Sequence, residues 1–226
     1  MNWQEFTALM VLATAMSFTP GPNTTLSTAL AANHGLRHAL PFIFAVPVGW
    51  VGLLGICALG LGALVLAVPI LSWSVKLIGV AYLLYLAFKL MGVRFQIRSQ
   101  PQAGWRERFT LQRNWNLTPI NLDSARLNIT FWQGAALQFL NIKAWMLALA
   151  IVSGWVAGRA DPGLRLAVVL PVMLVFAFTS NLAYALAGSL LRNWLAGPFG
   201  SGQRLKWFNR AMASVLVVTA IWMLFI

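Results

Sequence analysis

Charged residues are scarce in this sequence of 226 residues, and acidic residues are the scarcest. It contains 16 Lys and Arg but only 4 Asp and Glu, so charged residues make up 9% of the chain while 60% is hydrophobic. A soluble globular domain usually has about 25% charged residues. So few charged side chains do not cover a domain of this length in water. The composition therefore excludes a soluble globular protein and indicates a membrane protein.

Cysteine and histidine are also nearly absent. The sequence has one cysteine, Cys57, and 2 histidines, which excludes an intrachain disulfide and the usual Cys/His motifs for zinc or haem. Gly-x-x-x-x-Gly-Lys-[Ser/Thr] loops, Gly-x-Ser-x-Gly motifs and His-Glu-x-x-His motifs are missing from the sequence as well. We therefore expect no metal site, no cofactor and no enzymatic activity.

The net charge of +12 does not come from the clustered basic surface that is typical of nucleic-acid-binding proteins. Most lysines and arginines instead separate long apolar runs, where they face lipid headgroups at the ends of membrane helices. The predicted partner is the lipid bilayer, and no nucleic-acid partner is expected.

Six apolar segments are long enough to cross a bilayer, which requires about 20 residues in a helix. The predicted fold class is therefore an all-α polytopic membrane protein, with a single transmembrane domain over residues 1–226. A long basic loop, residues 93–127, joins the third helix to the fourth. The predicted helices span about residues 3–33, 38–67, 70–92, 128–157, 163–191 and 205–226.

The loops differ in their content of lysine and arginine. Most of the basic residues fall in the first, third and fifth loops, which the positive-inside rule places in the cytoplasm. Both termini then lie on the outer side of the membrane. Within the third loop, Trp105–Phe109 mixes aromatic residues with arginines. This segment either lies on anionic lipid or forms a solvated linker.

Three helices in each half of the chain are typical of an inverted repeat, because an odd number of spans reverses the second half. The first helix of each half contains a break, at Pro20–Asn23 in the first half and at Asn141–Lys143 in the second. Corresponding breaks of this kind indicate the binding site of a transporter. We therefore predict two inverted three-helix repeats, with the first helix broken at the Pro-Gly-Pro-Asn motif.

The chemistry of the first break suits a carboxylate. Pro20 and Pro22 each lack a backbone donor, and Gly21 adopts dihedral angles that other residues resist, so the helix is interrupted there. The segment after the break begins at Asn23, and its unbonded amides carry partial positive charge. The alternative interpretation is a proline kink that serves packing alone.

Lys143 is the one charged residue well inside a predicted span. Such residues are functional candidates because burying them is costly. Lys143 either attracts a substrate carboxylate or carries a coupling proton, and the alternative is a lysine that snorkels to the membrane surface. Asn141 and Gln138 lie on the same helix, where they either bind a substrate or bridge neighbouring helices.

Three further polar residues are candidates. Asn181 and Tyr184 lie three residues apart in the fifth predicted helix, where they either face the site or form structural hydrogen bonds between helices. Glu5 is a second candidate for proton coupling beside Lys143, although a carboxylate at a helix entrance is also explained by solvation.

Five short motifs follow each other along the chain, at residues 20–23, 33–37, 79–83, 138–143 and 181–188. In these motifs, and over nearly the whole chain outside the third loop, the sequence resembles the lysine-exporter (LysE/RhtB) family of amino-acid exporters. Many members of that family have a proline between the Asn and Lys of the fourth helix, where this chain has Ile142. In this departure the chain looks closer to the branch that exports cysteine and O-acetylserine.

The resemblance implies a secondary transporter that exports small neutral amino acids or derivatives, similar to cysteine or O-acetylserine, across the inner (plasma) membrane of a bacterium. Both termini are then periplasmic. Because the sequence lacks a nucleotide-binding loop, an ion gradient or a substrate gradient is the expected energy source, and we predict proton antiport. The alternative is a passive channel or an ion-exporting membrane protein, and the oligomeric state is left open, with a homo-oligomer among the alternatives.

In the predicted site, the first break and Lys143 hold the substrate carboxylate. Asn23, Asn141 and Gln138 bind its ammonium group and side chain, while Lys143 and Glu5 are the proton-coupling candidates. The predicted substrate-binding residues are Pro20, Gly21, Pro22, Asn23, Gln138, Asn141, Lys143, Asn181 and Tyr184.

Overall fold

The computed structural model describes residues 1–92, 127–197 and 202–225, which form helices joined by short connections. Residues 93–126 of the predicted basic loop, with the Trp105–Phe109 segment, lie outside this part of the chain. A π-helical turn, Val152–Val156, directly follows the helix Ile142–Ile151. The α-helices are, in order, α1 (Trp3–Phe18), α2 (Pro22–His34), α3 (Leu36–Ala58), α4 (Leu61–Ala67), α5 (Pro69–Met91), α6 (Phe131–Leu140), α7 (Ile142–Ile151), α8 (Pro162–Ala196) and α9 (Gln203–Phe225).

Four of these helices, α3, α5, α8 and α9, are long and apolar enough to cross a membrane. A fifth candidate span consists of α6 with α7 and its π-helical turn, which are bent by 71° at the break between them. The described part of the chain is thus all-α, with four or five candidate membrane spans. At this level the predicted fold class is confirmed.

Three of the predicted spans are divided in the structure, and one of them is the bent span of α6 and α7 within the predicted helix over 128–157. The predicted span 3–33 consists of two helices, α1 and α2. The predicted helix over 38–67 is not continuous either, because α3 ends at Ala58 and the chain turns through Gly60 in the left-handed conformation, with φ 83°. A glycine in this conformation ends a helix without steric strain, since it has no Cβ.

The most buried helix is α2, in which all but two of the 13 residues are buried. It packs against α3, α8 and α9. Its many alanine, serine and threonine residues allow neighbouring helices to approach closely. At one such contact, Gly188 of α8 lies directly against the backbone carbonyl of Thr28, and a Cβ at this glycine would overlap the carbonyl.

The carboxyl end of α2 is joined to α9 by a pair of side-chain amides. Asn33 Nδ2 donates to Asn209 Oδ1 at 2.8 Å, and Asn209 Nδ2 donates back to Asn33 Oδ1 at 2.9 Å. Both residues are buried, and buried amides require partners of this kind. We call this end of the molecule the Asn33 end.

The opposite end of the molecule is held by ion pairs. Glu5 Oε2 lies 3.1 Å from Arg165 Nη1, and Glu5 Oε1 lies 3.4 Å from Arg159 Nη1. Trp155 also donates its indole N–H to the backbone carbonyl of Glu5 at 2.7 Å. These contacts join the start of α1 to the π-helical turn and to the start of α8. We call this end the Glu5 end.

Cys57, the one cysteine of the sequence, lies near the end of α3 and is 2% exposed. The first turn of α4 folds back over it, so that a Cβ on Gly62 would lie 2.6 Å from the Cys57 sulfur. The thiol is therefore enclosed by the connection between α3 and α4.

Candidate functional site

A cavity lies inside the bundle where the gap between α1 and α2 faces the gap between α6 and α7. The middle of α8 and one face of α3 complete its walls. The cavity volume is about 70 Å³, roughly half of the 150 Å³ or so that holds benzene in an engineered protein cavity. Its size therefore suits a small molecule.

The amino end of α2 opens into this cavity without a side-chain cap from the described residues. Gly21 precedes the helix and Pro22 is its first residue. The first bond of the helix, from Thr25 N to Gly21 O, is 2.9 Å long, so the amides of Asn23 and Thr24 have no partner within the helix. Both residues line the cavity and present partial positive charge to it.

The amino end of α7 differs, because a side chain caps it. Asn141 stands between α6 and α7, and its Oδ1 accepts a hydrogen bond from the backbone amide of Lys143 at 3.2 Å. Across the break, Trp145 donates its indole N–H to Phe139 O at 2.8 Å. The gap before α7 is thus satisfied by its own residues, which leaves the amino end of α2 as the uncapped one.

Lys143 extends from the first turn of α7 toward the uncapped end of α2. Its Nζ lies 4.0 Å from the position that a Cβ on Gly21 would occupy, and it lines the cavity. Within residues 1–92, 127–197 and 202–225, no carboxylate pairs with this ammonium group. The acids of those ranges, Glu5 and Asp161, lie at the Glu5 end. An unpaired ammonium group beside a helix amino end favours an anion.

Asn23 and Gln138 bind each other. Asn23 Nδ2 donates to Gln138 Oε1 at 2.8 Å, and Gln138 Nε2 donates back to Asn23 Oδ1 at 3.1 Å. Gln138 is fully buried and does not line the cavity. The two amides therefore join α2 to α6, which corresponds to the helix-bridging alternative for Gln138.

Asn181 and Tyr184 lie in different environments. Asn181 lines the cavity, but its Oδ1 accepts from the Ser27 hydroxyl at 2.8 Å and its Nδ2 donates to Ala177 O at 2.8 Å. Tyr184 does not line the cavity, and its hydroxyl donates to Phe18 O at 2.9 Å. Tyr184 thus satisfies the last carbonyl of α1, as expected for the structural alternative.

Two other predicted residues also lie away from the cavity. Pro20 does not line it, although the three residues that follow do. Glu5 is separated from Met16, in the cavity wall, by about three turns of α1, which corresponds to roughly 16 Å. Its carboxylate is ion-paired with Arg159 and Arg165, so Glu5 belongs to the Glu5 end of the molecule and not to the cavity.

The sequence interpretation missed several residues of the cavity wall, among them Met16, Ser17, Trp50 and Met173. Met16 and Ser17 lie within one turn before Pro20, where the predicted break starts, so their position in the sequence could have indicated them. Met173 lies about two turns before Asn181 on the same face of α8, so helical spacing also indicates it. Trp50 reaches the cavity only because α3 packs across both gaps, which no local pattern shows.

An internal, partly polar cavity between two helix gaps, in an all-α membrane protein, is the arrangement of a membrane transporter. Comparison with protein families gives the particular group: the model of the LysE type translocator family matches residues 14–225. The chain belongs to this family, and the resemblance inferred from the sequence motifs is confirmed.

Two similar proteins share nearly the full length of the chain. The cysteine/O-acetylserine efflux protein of Klebsiella pneumoniae is 26% identical over 214 residues, which cover 95% of this chain and 94% of that protein. The protein of the same name from Escherichia coli strain K12 is 28% identical over 216 residues, or 93% of this chain and 91% of that protein. No solved structure matches the chain.

Proposed function

We propose that this protein is a secondary exporter of small neutral amino acids in the inner membrane of a bacterium, with cysteine and O-acetylserine as the leading substrates. The observation that carries the proposal is the unpaired ammonium group of Lys143 beside the uncapped amino end of α2, at the wall of an internal cavity. The printed names of the two similar efflux proteins support these substrates.

The substrate carboxylate binds at the positive side of the cavity. Lys143 contributes a full charge, and the backbone amides of Asn23 and Thr24 contribute hydrogen-bond donors. Together they replace the water that a carboxylate loses inside a membrane, where an unpaired ion is costly. The carboxylate in turn supplies the counter-ion that Lys143 does not have among the described residues.

The substrate ammonium group faces the carboxyl end of α1. Met16, Ser17 and Thr19 line the cavity there, and the last carbonyls of a helix have no intrahelical partners and carry partial negative charge. The Tyr184 hydroxyl uses the carbonyl of Phe18 and the Thr19 hydroxyl uses that of Ala15. This leaves the carbonyls of Met16 and Ser17 for the ligand. The two ends of the gap between α1 and α2 thus match the two charges of a zwitterion.

This assignment changes the predicted roles of the amide side chains. Asn23 and Gln138 bind each other. We therefore assign the substrate ammonium group to the carbonyls of α1 and not to these two side-chain amides. Asn141 keeps a role in the site, because it lines the cavity and its amide nitrogen donates no hydrogen bond within the described chain. Its amide nitrogen can therefore donate to the substrate.

The packing of the helices supports two inverted repeats of three spans. Matching α1 with α6, α2 with α7, α3 with α8, and α5 with α9 makes two of the contacts between the halves correspond. The contact of α1 with α8 then matches that of α6 with α3, and the contact of α2 with α8 matches that of α7 with α3. In this scheme α1 and α2 together form the first span, broken at Pro20–Asn23, which brings the number of spans to six. The two halves rock around the cavity.

We place the Asn33 end in the cytoplasm and the Glu5 end in the periplasm, so that both termini are periplasmic and the chain forms one transmembrane domain. The basic residues in the last turns of α8 and the first turn of α9, which include Arg192, Arg204 and Lys206, support this orientation. Arg204 lies over the ring of Trp194, with its Cζ 4.8 Å from the ring centre, and such pairs are suited to the headgroup region.

Proton antiport is the predicted energy source, and the geometry sets a condition on it. A bound carboxylate favours the charged form of Lys143, so the substrate and a proton on this lysine bind together. Antiport requires the two to compete. Under antiport, Lys143 therefore stays charged and another group, for which Glu5 is the other candidate, carries the proton. In cotransport, where the proton leaves the cell together with the substrate, Lys143 itself would carry the proton.

Counterflow in liposomes tests the proposal. The purified protein is reconstituted in liposomes loaded with unlabelled cysteine or O-acetylserine, and uptake of the labelled substrate is followed against protein-free liposomes. We expect saturable counterflow, and the sign of its response to an imposed pH gradient separates antiport from cotransport. Conductance proportional to voltage, without saturation by an amino acid, would instead support a passive channel. The absence of counterflow for a panel of neutral amino acids would overturn the proposal.

A further inference from the structure

The cavity changes from polar to apolar toward the Glu5 end, and the order is the same on two helices. On α7, which runs from the cavity to the Glu5 end, Lys143 is followed one turn later by Leu147. On α8, which starts at the Glu5 end, Met173 comes before Asn181. In both helices the apolar residue therefore lies on the Glu5 side of the polar one.

The same order occurs on α1, and α3 contributes an apolar residue to the same side of the cavity. Because α1 runs from the Glu5 end to the cavity, Met16 lies on the Glu5 side of Thr19. On α3, which starts at the Asn33 end, Trp50 is the cavity residue furthest along the helix. The Glu5 side of the cavity is thus closed by an apolar layer, which we call the methionine layer: Met16, Trp50, Leu147 and Met173.

The protein beyond the methionine layer is apolar as well. Leu9, Ala13, Ile151 and Val169 lie there, and each is 0% exposed. In the described ranges, by contrast, every buried polar residue lies at the cavity or on its Asn33 side. A charged group that points from the cavity toward the Glu5 end therefore finds no polar partner, and its desolvation is not compensated.

We propose that the methionine layer is the subsite for the substrate side chain and that Met173 is its specificity-determining residue. This inference rests on the proposed function, because a carboxylate held by Lys143 and the α2 amides turns the other end of a small amino acid toward the layer. The layer accepts uncharged, polarisable groups such as a thiol, thioether or ester, since its thioether and aromatic groups are themselves polarisable. It rejects cationic and anionic side chains.

The small size of the cavity explains why Met173 determines which substrate side chains fit. The cavity volume is only about 70 Å³, so the length of the Met173 side chain limits the space that remains for the side chain of the substrate. Met173 is 3% exposed and comes from the middle of a long helix, so it has little room to move aside. Shortening it to alanine opens the layer where the substrate side chain ends.

Competition in the counterflow assay tests the inference. Unlabelled cysteine, leucine, lysine and aspartate compete with labelled cysteine, in the wild-type protein and in Met173→Ala. For the wild type we expect competition by cysteine, weaker competition by leucine, and none by lysine or aspartate. In Met173→Ala the affinity for leucine relative to cysteine is expected to rise about tenfold or more, because one methylene in an apolar pocket changes discrimination by about 10-fold to 200-fold.

Matched variants separate this role from a general effect on packing. Met146→Ala makes the same chemical change on α7, at a residue that is 44% exposed and outside the cavity wall, and it should keep the wild-type ratio. Met173→Leu nearly conserves the volume and should keep the ratio as well. Should Met173→Ala fail to fold, Met173→Val makes a smaller opening and is expected to shift the ratio in the same direction.

The outcomes are distinct for the inference and for the proposed function. A folded Met173→Ala or Met173→Val that exchanges cysteine with the wild-type leucine-to-cysteine ratio overturns the inference and leaves the exporter proposal standing. Competition by lysine as strong as that by cysteine overturns it too. If the wild-type protein exchanges no neutral amino acid at all, the proposed function itself fails.

Discussion

Replacing Lys143 with methionine tests whether this residue recognises the substrate carboxylate or only fills space between helices. Methionine keeps much of the side-chain length and removes the charge. A hydrogen bond to a charged group contributes about 1.5–3 kcal/mol, which corresponds to about 10-fold to 150-fold in affinity. We expect the apparent affinity for cysteine in counterflow to fall by a factor in this range.

The same substitution is expected to stabilise the folded protein. The ammonium group has no acceptor in the described part of the chain and is partly buried, so its charge costs free energy that a thioether does not. We therefore expect the midpoint of thermal unfolding in detergent to rise in Lys143→Met. Lys76→Met is the control: Lys76 Nζ lies over the ring of Trp73 at 5.2 Å, outside the cavity, and its loss should leave cysteine affinity unchanged.

Cysteine and cysteamine, which lacks the carboxylate, form a matched pair of ligands for this test. The wild-type protein should prefer cysteine by at least the factor given above, whereas in Lys143→Met this preference should fall to the smaller one that the α2 amides alone provide. The reasoning is refuted if Lys143→Met keeps the wild-type preference, because another group must then recognise the carboxylate. A lower unfolding midpoint would show that Lys143 is a structural residue.

Other substitutions probe the packing around the site. Asn23→Ala removes the partner of the buried Gln138 side-chain oxygen, and Gln138→Ala removes the partner of the half-buried Asn23 amide. Each should cost about 1–3 kcal/mol of unfolding free energy. The double variant should cost less than the sum, and additive losses of stability in thermal melts would contradict the pairing. Gly188→Ala should prevent accumulation of folded protein because its Cβ overlaps the α2 backbone. Gly55→Ala should be tolerated because a Cβ there meets open space. Equal size-exclusion elution profiles for the two variants would refute the close contact at Gly188. Under proton antiport, Glu5→Gln should abolish the pH response of counterflow, and a retained response would exclude Glu5 as the coupling group.

Some features could be predicted because their causes are local. Pro20 and Pro22 stand within one turn, and a helix loses backbone donors there whatever surrounds it. Asn141 is a residue type that caps helices, and it precedes α7 in the structure. The lengths of the apolar runs likewise predicted α5, α8 and α9 to within a few residues, because the bilayer sets the length of a spanning helix.

Other features depend on packing between distant segments, which sequence patterns do not show. Asn23 and Gln138 lie 115 residues apart, and either amide alone looks equally suited to a substrate or to a helix. Glu5 lies near Arg165 only because α1 and α8 start at the same end of the molecule. The end of α3 before Gly60 was missed for another reason: the apolar run continues through it, so hydropathy does not change there.

The position of Cys57 has a chemical consequence for a protein whose proposed cargo carries a thiol. Thiol–disulfide exchange requires a thiolate to reach the sulfur of its partner. The sequence has no second cysteine, and this one is enclosed under Gly62, outside the cavity wall. Cargo that crosses the cavity therefore meets thioethers, which do not form disulfides, and the carrier is not trapped as a mixed disulfide with cysteine or its oxidised form. For the same reason, one substitution at this position yields a thiol-free protein into which reporter cysteines can be placed at will.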